Sequence, residues 1–122
     1  MPTYADLLRA RTKRFAFDII ALVRSLPRGM ATDAVARQLI RAATSVAANH
    51  RAAARARSRR EFISTLAVVL EEADETELWL DALEQCETGV AMEALQREAR
   101  ELRAIFSAAL RTARANPRHP ER

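Results

Sequence analysis

Helix breakers are scarce in this chain, and their scarcity limits the folds open to it. Two glycines and four prolines serve 122 residues. An all-β fold needs a turn about every ten residues, and turns draw mainly on glycine and proline. Apolar residues make up 49% of the chain, which is too many for a disordered protein. The sequence therefore predicts an all-helical protein whose length suits a single domain.

The positions of the breaks divide the chain into four helices. Residues 25–29 and Gly89 interrupt the apolar periodicity, but residues 30–88 contain neither glycine nor proline. One helix over that segment would extend about 90 Å, which is too long for so small a domain. Ser58 and Glu61 have the spacing of a capping box, in which two side chains bind free backbone N–H groups at a helix start. We predict helices near residues 4–26, 33–56, 59–87 and 90–115, followed by a disordered tail over 116–122.

Each predicted helix has apolar residues at three- and four-residue spacing along one face, which is typical of a helix with one buried side. Short connections make neighbouring helices antiparallel, so the sequence predicts an antiparallel up-down-up-down four-helix bundle. No run approaches the roughly 18 apolar residues of a membrane span, and the first 30 residues lack the layout of a signal peptide. We therefore expect a cytoplasmic protein with no membrane partner.

The net charge of +4 conceals a strong separation of charge along the chain. Residues 1–60 hold 13 basic and three acidic groups, whereas residues 61–95 hold ten acidic groups and no basic one. Residues 96–122 hold seven basic and three acidic groups. The second helix is thus basic on its polar surface and the third is acidic.

Seven arginines form a stripe along the second helix and the turn after it. The four on the helix project within an arc of about 80° at 3.6 residues per turn. Because a guanidinium donates two parallel hydrogen bonds to phosphate oxygens, one interpretation is a site for the backbone of RNA or DNA. The other is that the arginines pair with the acidic helix, within one chain or between subunits. The stripe consists of Arg37, Arg41, Arg51, Arg55, Arg57, Arg59 and Arg60.

Three apolar residues lie off the predicted core faces. Trp79 and Val68 project about 100° from the centre of the apolar face of the third helix, and Phe17 points nearly opposite Ile19 on the first. Single exposed apolar residues are common, but aromatic residues are enriched at interfaces. We therefore predict a homo-oligomer that uses these residues.

The sequence contains no arrangement typical of an enzyme. Neither histidine has a glutamate three residues before it, as the metal-binding motif of four-helix bundles requires. His50 falls on the apolar face of its helix, which predicts a partly buried structural histidine. The single Cys86 has no basic neighbour in sequence to activate its thiol. We predict no catalytic residue, no metal site and no cofactor.

Three segments carry a resemblance to a known family: RQLIRAATSVAAN at 37–49, SRREFI at 58–63 and EADETELWL at 72–80. They resemble the bacterial four-helix bundle family first noticed as proteins encoded in 23S ribosomal RNA intervening sequences. That family includes the accessory variability proteins of diversity-generating retroelements. The resemblance implies a left-handed up-down bundle and a ring of five subunits. Retroelement relatives bind nucleic acid and a reverse transcriptase through a basic surface.

The resemblance also assigns roles to particular residues. Asn49 and Arg51 match the family's Asn-x-Arg-Glu-Ala segment, but Ala52 replaces its glutamate. The segment at 72–80 matches an acidic segment that is structural or interfacial, and Arg51 is expected to meet it across a helix pair. The predicted oligomer interface comprises Phe17, Val68, Trp79, Arg51, Asp74 and Glu75.

Two functions remain open at this point. The first is a non-enzymatic, oligomeric interaction or accessory module that binds nucleic-acid backbone through its arginines. The second is a structural or protein-binding scaffold whose arginines form ion pairs between subunits.

Overall fold

A computed structural model describes residues 1–116 of the chain. Within these residues four α-helices form and no strand does: α1 (Tyr4–Arg24), α2 (Met30–Ala54), α3 (Arg59–Glu84) and α4 (Glu93–Ala115). Consecutive helices pack side by side, α4 also contacts α1, and α1 and α3 lie on the diagonal, where none of their Cα atoms approach within 8 Å of each other. This arrangement confirms the predicted all-α four-helix bundle. No helix in the described residues is long and apolar enough to cross a membrane.

A capping box sets the start of α1, whereas α2 starts at a glycine whose carbonyl accepts the first helical hydrogen bond. The Thr3 hydroxyl accepts the N–H of Asp6 at 3.0 Å, and the Asp6 carboxylate accepts the N–H of Thr3 at 3.0 Å, which completes a capping box. Helix α2 begins three residues before the predicted position 33, because the Gly29 carbonyl already accepts the N–H of Asp33 at 2.8 Å. The Asp33 carboxylate accepts from Arg28 and from the Gly29 N–H.

The start of α3 is capped where the sequence predicted. The Ser58 hydroxyl accepts the N–H of Glu61 at 3.0 Å, and the Glu61 carboxylate reaches one residue further back, to the N–H of Arg57 at 2.9 Å. This variant of the capping box still satisfies two donors at the helix start.

The connection between α3 and α4 is longer than predicted. Helix α3 ends three residues before the predicted position 87, and α4 begins three residues after the predicted position 90. Glu87 and Gly89 have φ values of 52° and 80°, in the left-handed region that a helix cannot contain. Asn116 follows α4 outside any helix, and the rest of the predicted tail, 117–122, lies outside the described residues.

The bundle core is mainly aliphatic and also contains two buried phenylalanines, Phe15 and Phe106. Leu39, Leu80 and Leu102 come from three helices and are fully buried. Burial of such a side chain stabilises the fold by about 1.5–3 kcal/mol. Helix α2 contributes mainly small side chains to this core, which allows its neighbours to approach closely. Its buried alanines are Ala36, Ala42, Ala43 and Ala53.

Candidate nucleic-acid interface

The topology brings four basic chain segments to one end of the bundle. In antiparallel packing the start of α1, the end of α2, the start of α3 and the end of α4 lie together. The Arg59 guanidinium shows this contact directly, since it donates to the carbonyl oxygens of Ala113 at 3.1 Å and Asn116 at 3.0 Å. We call this region, residues 1–10, 50–62 and 108–116, the basic end. It holds eight arginines and two carboxylates, Asp6 and Glu61: the arginines are Arg9, Arg51, Arg55, Arg57, Arg59, Arg60, Arg111 and Arg114.

Three of the eight arginines at the basic end have a partner among residues 1–116. Arg9 pairs with Asp6 at 3.0 Å, Arg57 lies 3.8 Å from Glu61, and Arg59 is bound to the end of α4. The other five are exposed, and their side chains make no ion pair or hydrogen bond with any residue in 1–116. These five, the free arginines, are Arg51, Arg55, Arg60, Arg111 and Arg114.

The structure divides the predicted arginine stripe into parts with different surroundings. Arg41 donates across the α2–α3 interface to Glu72 at 3.1 Å and to Glu75 at 2.5 Å. These hydrogen bonds, first that to Glu75, raise the pKa of Arg41. Arg37 lies near the opposite end of the bundle, where the hydrogen bond from Arg28 is the main cause that lowers the pKa of Asp33 and the Arg37 charge adds to it. Only the later part of the stripe therefore reaches the basic end.

Arg41 also takes the position that the resemblance gave to Arg51. It is Arg41 that meets the acidic segment of α3 across the helix pair, whereas Arg51 is exposed at the basic end. The two residues are ten positions apart on α2, or about 15 Å along the helix axis. The expectation for Arg51 within one chain is therefore wrong, because the acidic segment lies too far along the bundle.

Two further arginines join helices in the same way as Arg41. Arg11 of α1 donates to two carboxylates of α4, Glu98 at 2.7 Å and Glu101 at 2.6 Å. The hydrogen bond to Glu98 is the main cause that raises the pKa of Arg11. Arg103 of α4 donates to Glu77 of α3 at 2.5 Å. Arg11 thus connects α1 to α4, Arg103 connects α4 to α3, and Arg41 connects α2 to α3.

A buried histidine lies beneath the basic end, as the sequence predicted. The His50 side chain is buried, and its ring centroid lies 5.7 Å from that of Phe106 with the planes tilted by 54°. Its Nδ1 has no hydrogen-bond partner within residues 1–116. Burial holds the pKa of this imidazole below its ordinary value, and the nearby Arg9 charge lowers it further. The histidine therefore belongs to the core, where burial disfavours its charged form.

The apolar residues predicted to lie off the core differ in exposure. Phe17 is 57% exposed and Val68 37% exposed, whereas Trp79 is half-buried and packs against the core. Trp79 is thus closer to the core than its angular position on α3 indicated. It shares its flank of α3 with Glu72 and Glu75, which Arg41 of α2 binds. Sequence reasoning missed Leu78, which is 56% exposed. The only indication in the sequence was that Leu78 lies ten residues, nearly three helical turns, after Val68.

No group of three or more histidine, cysteine or acidic side chains in residues 1–116 is placed to hold a metal ion. An open groove of about 580 Å³ at the basic end is lined by apolar residues of α4 and by Tyr4 and Phe62. The lining provides no acid–base pair. Cys86 is half-buried, and its Sγ lies 3.7 Å from the Ala82 carbonyl oxygen.

Comparison with known proteins gives a family and a fold. A family model described as 23S rRNA-intervening sequence protein matches residues 8–108. A crystal structure of a protein of unknown function from the S23 ribosomal protein family of Bacteroides thetaiotaomicron is similar, with a TM-score of 0.78 and 27% sequence identity. The similarity covers 89% of this chain and 99% of that one. A comparison with curated proteins finds no match.

Proposed function

Since the chain belongs to the 23S rRNA-intervening sequence protein family, with residues 8–108 matching its model, we propose that it is a non-enzymatic, self-associating interaction module. We propose further that it binds the backbone of RNA or DNA through the basic end.

The main support for this proposal is that the free arginines are exposed and have no partner among residues 1–116. Elsewhere in the bundle Arg11, Arg41 and Arg103 each meet a carboxylate on another helix. At the basic end the sequence supplies eight arginines and only two carboxylates, so five guanidinium groups face solvent. Such groups suit phosphate oxygens, which accept their paired N–H donors. Because phosphates carry no base identity, the expected binding is independent of sequence and weakened by salt.

The direct test is a gel-shift titration with generic RNA and duplex DNA at several salt concentrations. If all five free arginines contact phosphates, log affinity should fall with log salt with a slope of about −4.5 on duplex DNA. A slope near zero, or no binding at low salt, contradicts the proposal.

A pair of charge-matched variants locates the site. Reversal of three free arginines with Arg51→Glu, Arg55→Glu and Arg111→Glu should reduce affinity by at least about tenfold, since three phosphate contacts are lost. The control reverses three exposed arginines outside the basic end, Arg24, Arg97 and Arg100, with the same change of net charge. The control should retain affinity within about threefold. Equal losses in the two variants indicate a response to net charge alone and reject the basic end as the site.

The second candidate function is a scaffold that binds only protein. The ion pairs of Arg11, Arg41 and Arg103 favour it, because they show that arginine in this chain contacts carboxylates that are within reach. The free arginines would then meet acidic side chains of a neighbouring subunit. In that case the triple variant at the basic end should lose subunits while the wild type binds neither RNA nor DNA.

The subunit number and a protein partner are proposals that come from the family resemblance. A ring of five subunits predicts a mass five times that of the 13.7 kDa chain in multi-angle light scattering. A reverse transcriptase is the protein partner that the retroelement relatives indicate, and co-purification with one encoded beside this gene tests it. A mass of 13.7 kDa at micromolar concentration contradicts self-association.

A further inference from the structure

The open groove at the basic end lies where α4 extends beyond the start of α1. Arg11 of α1 binds Glu98 and Glu101 of α4, and these contacts fix the antiparallel alignment of the two helices. Tyr4, seven residues before Arg11, is therefore level with about residues 105–108 of α4. The last turns of α4 continue about 10 Å past that level. No turn of α1 lies beside them, which leaves this flank of α4 open.

The groove has an apolar lining with an exposed aromatic ring. Its volume is about 580 Å³, and none of the described residues that line it is charged. Ile105 and Ala109 of α4 and Phe62 of α3 are half-buried in the lining. Tyr4 also lines the groove, yet it is 70% exposed and its hydroxyl makes no hydrogen bond with residues 1–116. The ring of Tyr4 therefore offers an accessible face against which a flat apolar group can stack.

Two of the free arginines adjoin this groove around the outer side of α4. Arg111 lies three residues after Ala108 of the lining, and side chains at that spacing are neighbours on a helix surface. Together with Arg114 it lines a second depression, of about 460 Å³, which includes Leu70 of α3. The apolar groove and the two cationic side chains are thus separated by about the 10–12 Å diameter of one helix.

This pairing of surfaces matches the two parts of a nucleotide. Guanidinium groups donate paired hydrogen bonds to phosphate oxygens, and aromatic side chains stack on the flat faces of bases. In a duplex the neighbouring base pairs cover those faces, whereas the bases of a single strand can be splayed out and stacked on protein side chains. The groove therefore favours a strand with unpaired bases over a duplex.

We infer that the groove binds an unpaired base of a single-stranded nucleic acid, stacked on Tyr4, while Arg111 and Arg114 bind the adjoining phosphates. This inference rests on the nucleic-acid binding in the proposed function and names the form of the ligand. Every base has a face that can stack, so the binding is expected to tolerate any sequence.

A titration with three probes of equal length separates stacking from phosphate binding. The probes are a thymidine strand, the same strand with abasic spacers in place of the nucleosides, and a duplex. At about 0.2 M NaCl the thymidine strand should bind at least about fivefold more tightly than the abasic strand, because only the former can stack. Its advantage over the duplex should grow as salt is raised, since salt weakens phosphate contacts. Equal affinity for the thymidine and abasic strands overturns this inference but leaves the proposed function standing, whereas a protein that binds no probe contradicts the proposed function.

Variants of Tyr4 locate the stacking site. Tyr4→Ala should lower affinity for the thymidine strand at least about fivefold and leave affinity for the abasic strand unchanged, whereas Tyr4→Phe should retain both. Met30→Ala is the control, because Met30 is 92% exposed and apolar but lies at the other end of the bundle. Circular dichroism should show that all three variants fold. A Tyr4→Ala protein with unchanged affinities overturns the inference. So does a loss of mass in light scattering, which would show that another copy covers the groove.

Photo-crosslinking tests the contact directly. A strand that carries 5-iodouracil in place of thymine is irradiated with the wild-type protein, and the attachment point is mapped by mass spectrometry. We expect attachment to Tyr4, the single tyrosine of the chain, or to Phe62 beside it in the groove. Phe17, which is 57% exposed and lies outside the groove, reports random attachment. The absence of a product at either groove ring overturns the inference.

Discussion

The middle of the bundle and its basic end use the same residue type in two ways. In the middle, Arg11, Arg41 and Arg103 each reach a carboxylate on a neighbouring helix. At the basic end, the five free arginines have no such partner among residues 1–116 and extend into solvent. The difference lies in the supply of carboxylates. The acidic residues of α3 begin at Glu71, well beyond the first turns of the helix, and only Glu61 precedes them.

The arginines of this chain therefore have two different roles in the structure. An arginine that meets a carboxylate between helices stabilises the bundle and fixes which helices are neighbours. An arginine without a partner adds to the repulsion among like charges and gives the fold no contact. Removal of a paired arginine should therefore lower stability, whereas removal of an unpaired one should leave stability nearly unchanged or raise it slightly.

The largest expected effect concerns the core beneath the basic end. Phe106→Ala should lower the free energy of unfolding by about 3–5 kcal/mol, since it empties a fully buried site and removes the ring beside His50. Arg111→Ala, about one helical turn further along α4, should change it by less than about 0.5 kcal/mol. Urea unfolding measures both. Similar losses in the two variants contradict the view of the basic end as a charged surface over a packed core.

A second prediction compares a paired arginine with an unpaired one on the same helix. Arg11→Met should lower the free energy of unfolding by about 1 kcal/mol, because it removes three charge-assisted hydrogen bonds to two carboxylates of α4 at a partly exposed site. Arg14→Met, which removes an exposed arginine with no bonded partner in the described residues, should leave stability nearly unchanged. Thermal unfolding at moderate salt checks this. An equal response would remove the distinction between the two kinds of arginine.

A third and smaller effect depends on pH. The pKa of His50 is lowered in the folded protein by burial and then by Arg9, whereas an unfolded histidine titrates near 6.5. Below that pH the unfolded chain binds more protons than the folded one, so stability should fall as pH decreases from 7.5 to 5.5. The lowered pKa values of Asp6 and Asp33 affect only more acidic solutions. His50→Met should lose less stability than the wild type over this interval, and parallel losses would refute the assignment.

The smallest effect has the opposite sign. Arg51 and Arg55 are four residues apart on α2, so their like charges repel across one helical turn. Arg51→Gln with Arg55→Gln should raise the free energy of unfolding by a few tenths of a kcal/mol at low salt. The gain should vanish at about 0.5 M NaCl, where screening acts over only a few ångströms. A loss of stability at low salt would show that these arginines have partners in the folded protein.

The sequence predicted the helices better than their ends. Ser58 marked the start of α3 because its cap is a local interaction between residues three apart. The start of α2 was placed too late because Gly29 begins the helix without a side-chain cap, which leaves no signature. The pairing of Arg41, rather than Arg51, with the acidic segment depends on how far α2 and α3 are offset along the bundle. That offset cannot be inferred from the spacing of residues along a single helix.

The sequence by itself determined that this protein is an antiparallel four-helix bundle with its charges separated along the chain, because periodicity, breaks and caps act over a few residues. Only the tertiary structure decided which arginines are paired. It also decided that Trp79 is half-buried against the core, and that Leu78 and Phe17 are exposed on diagonal helices. These features depend on distances between helices, which packing sets once the bundle is assembled.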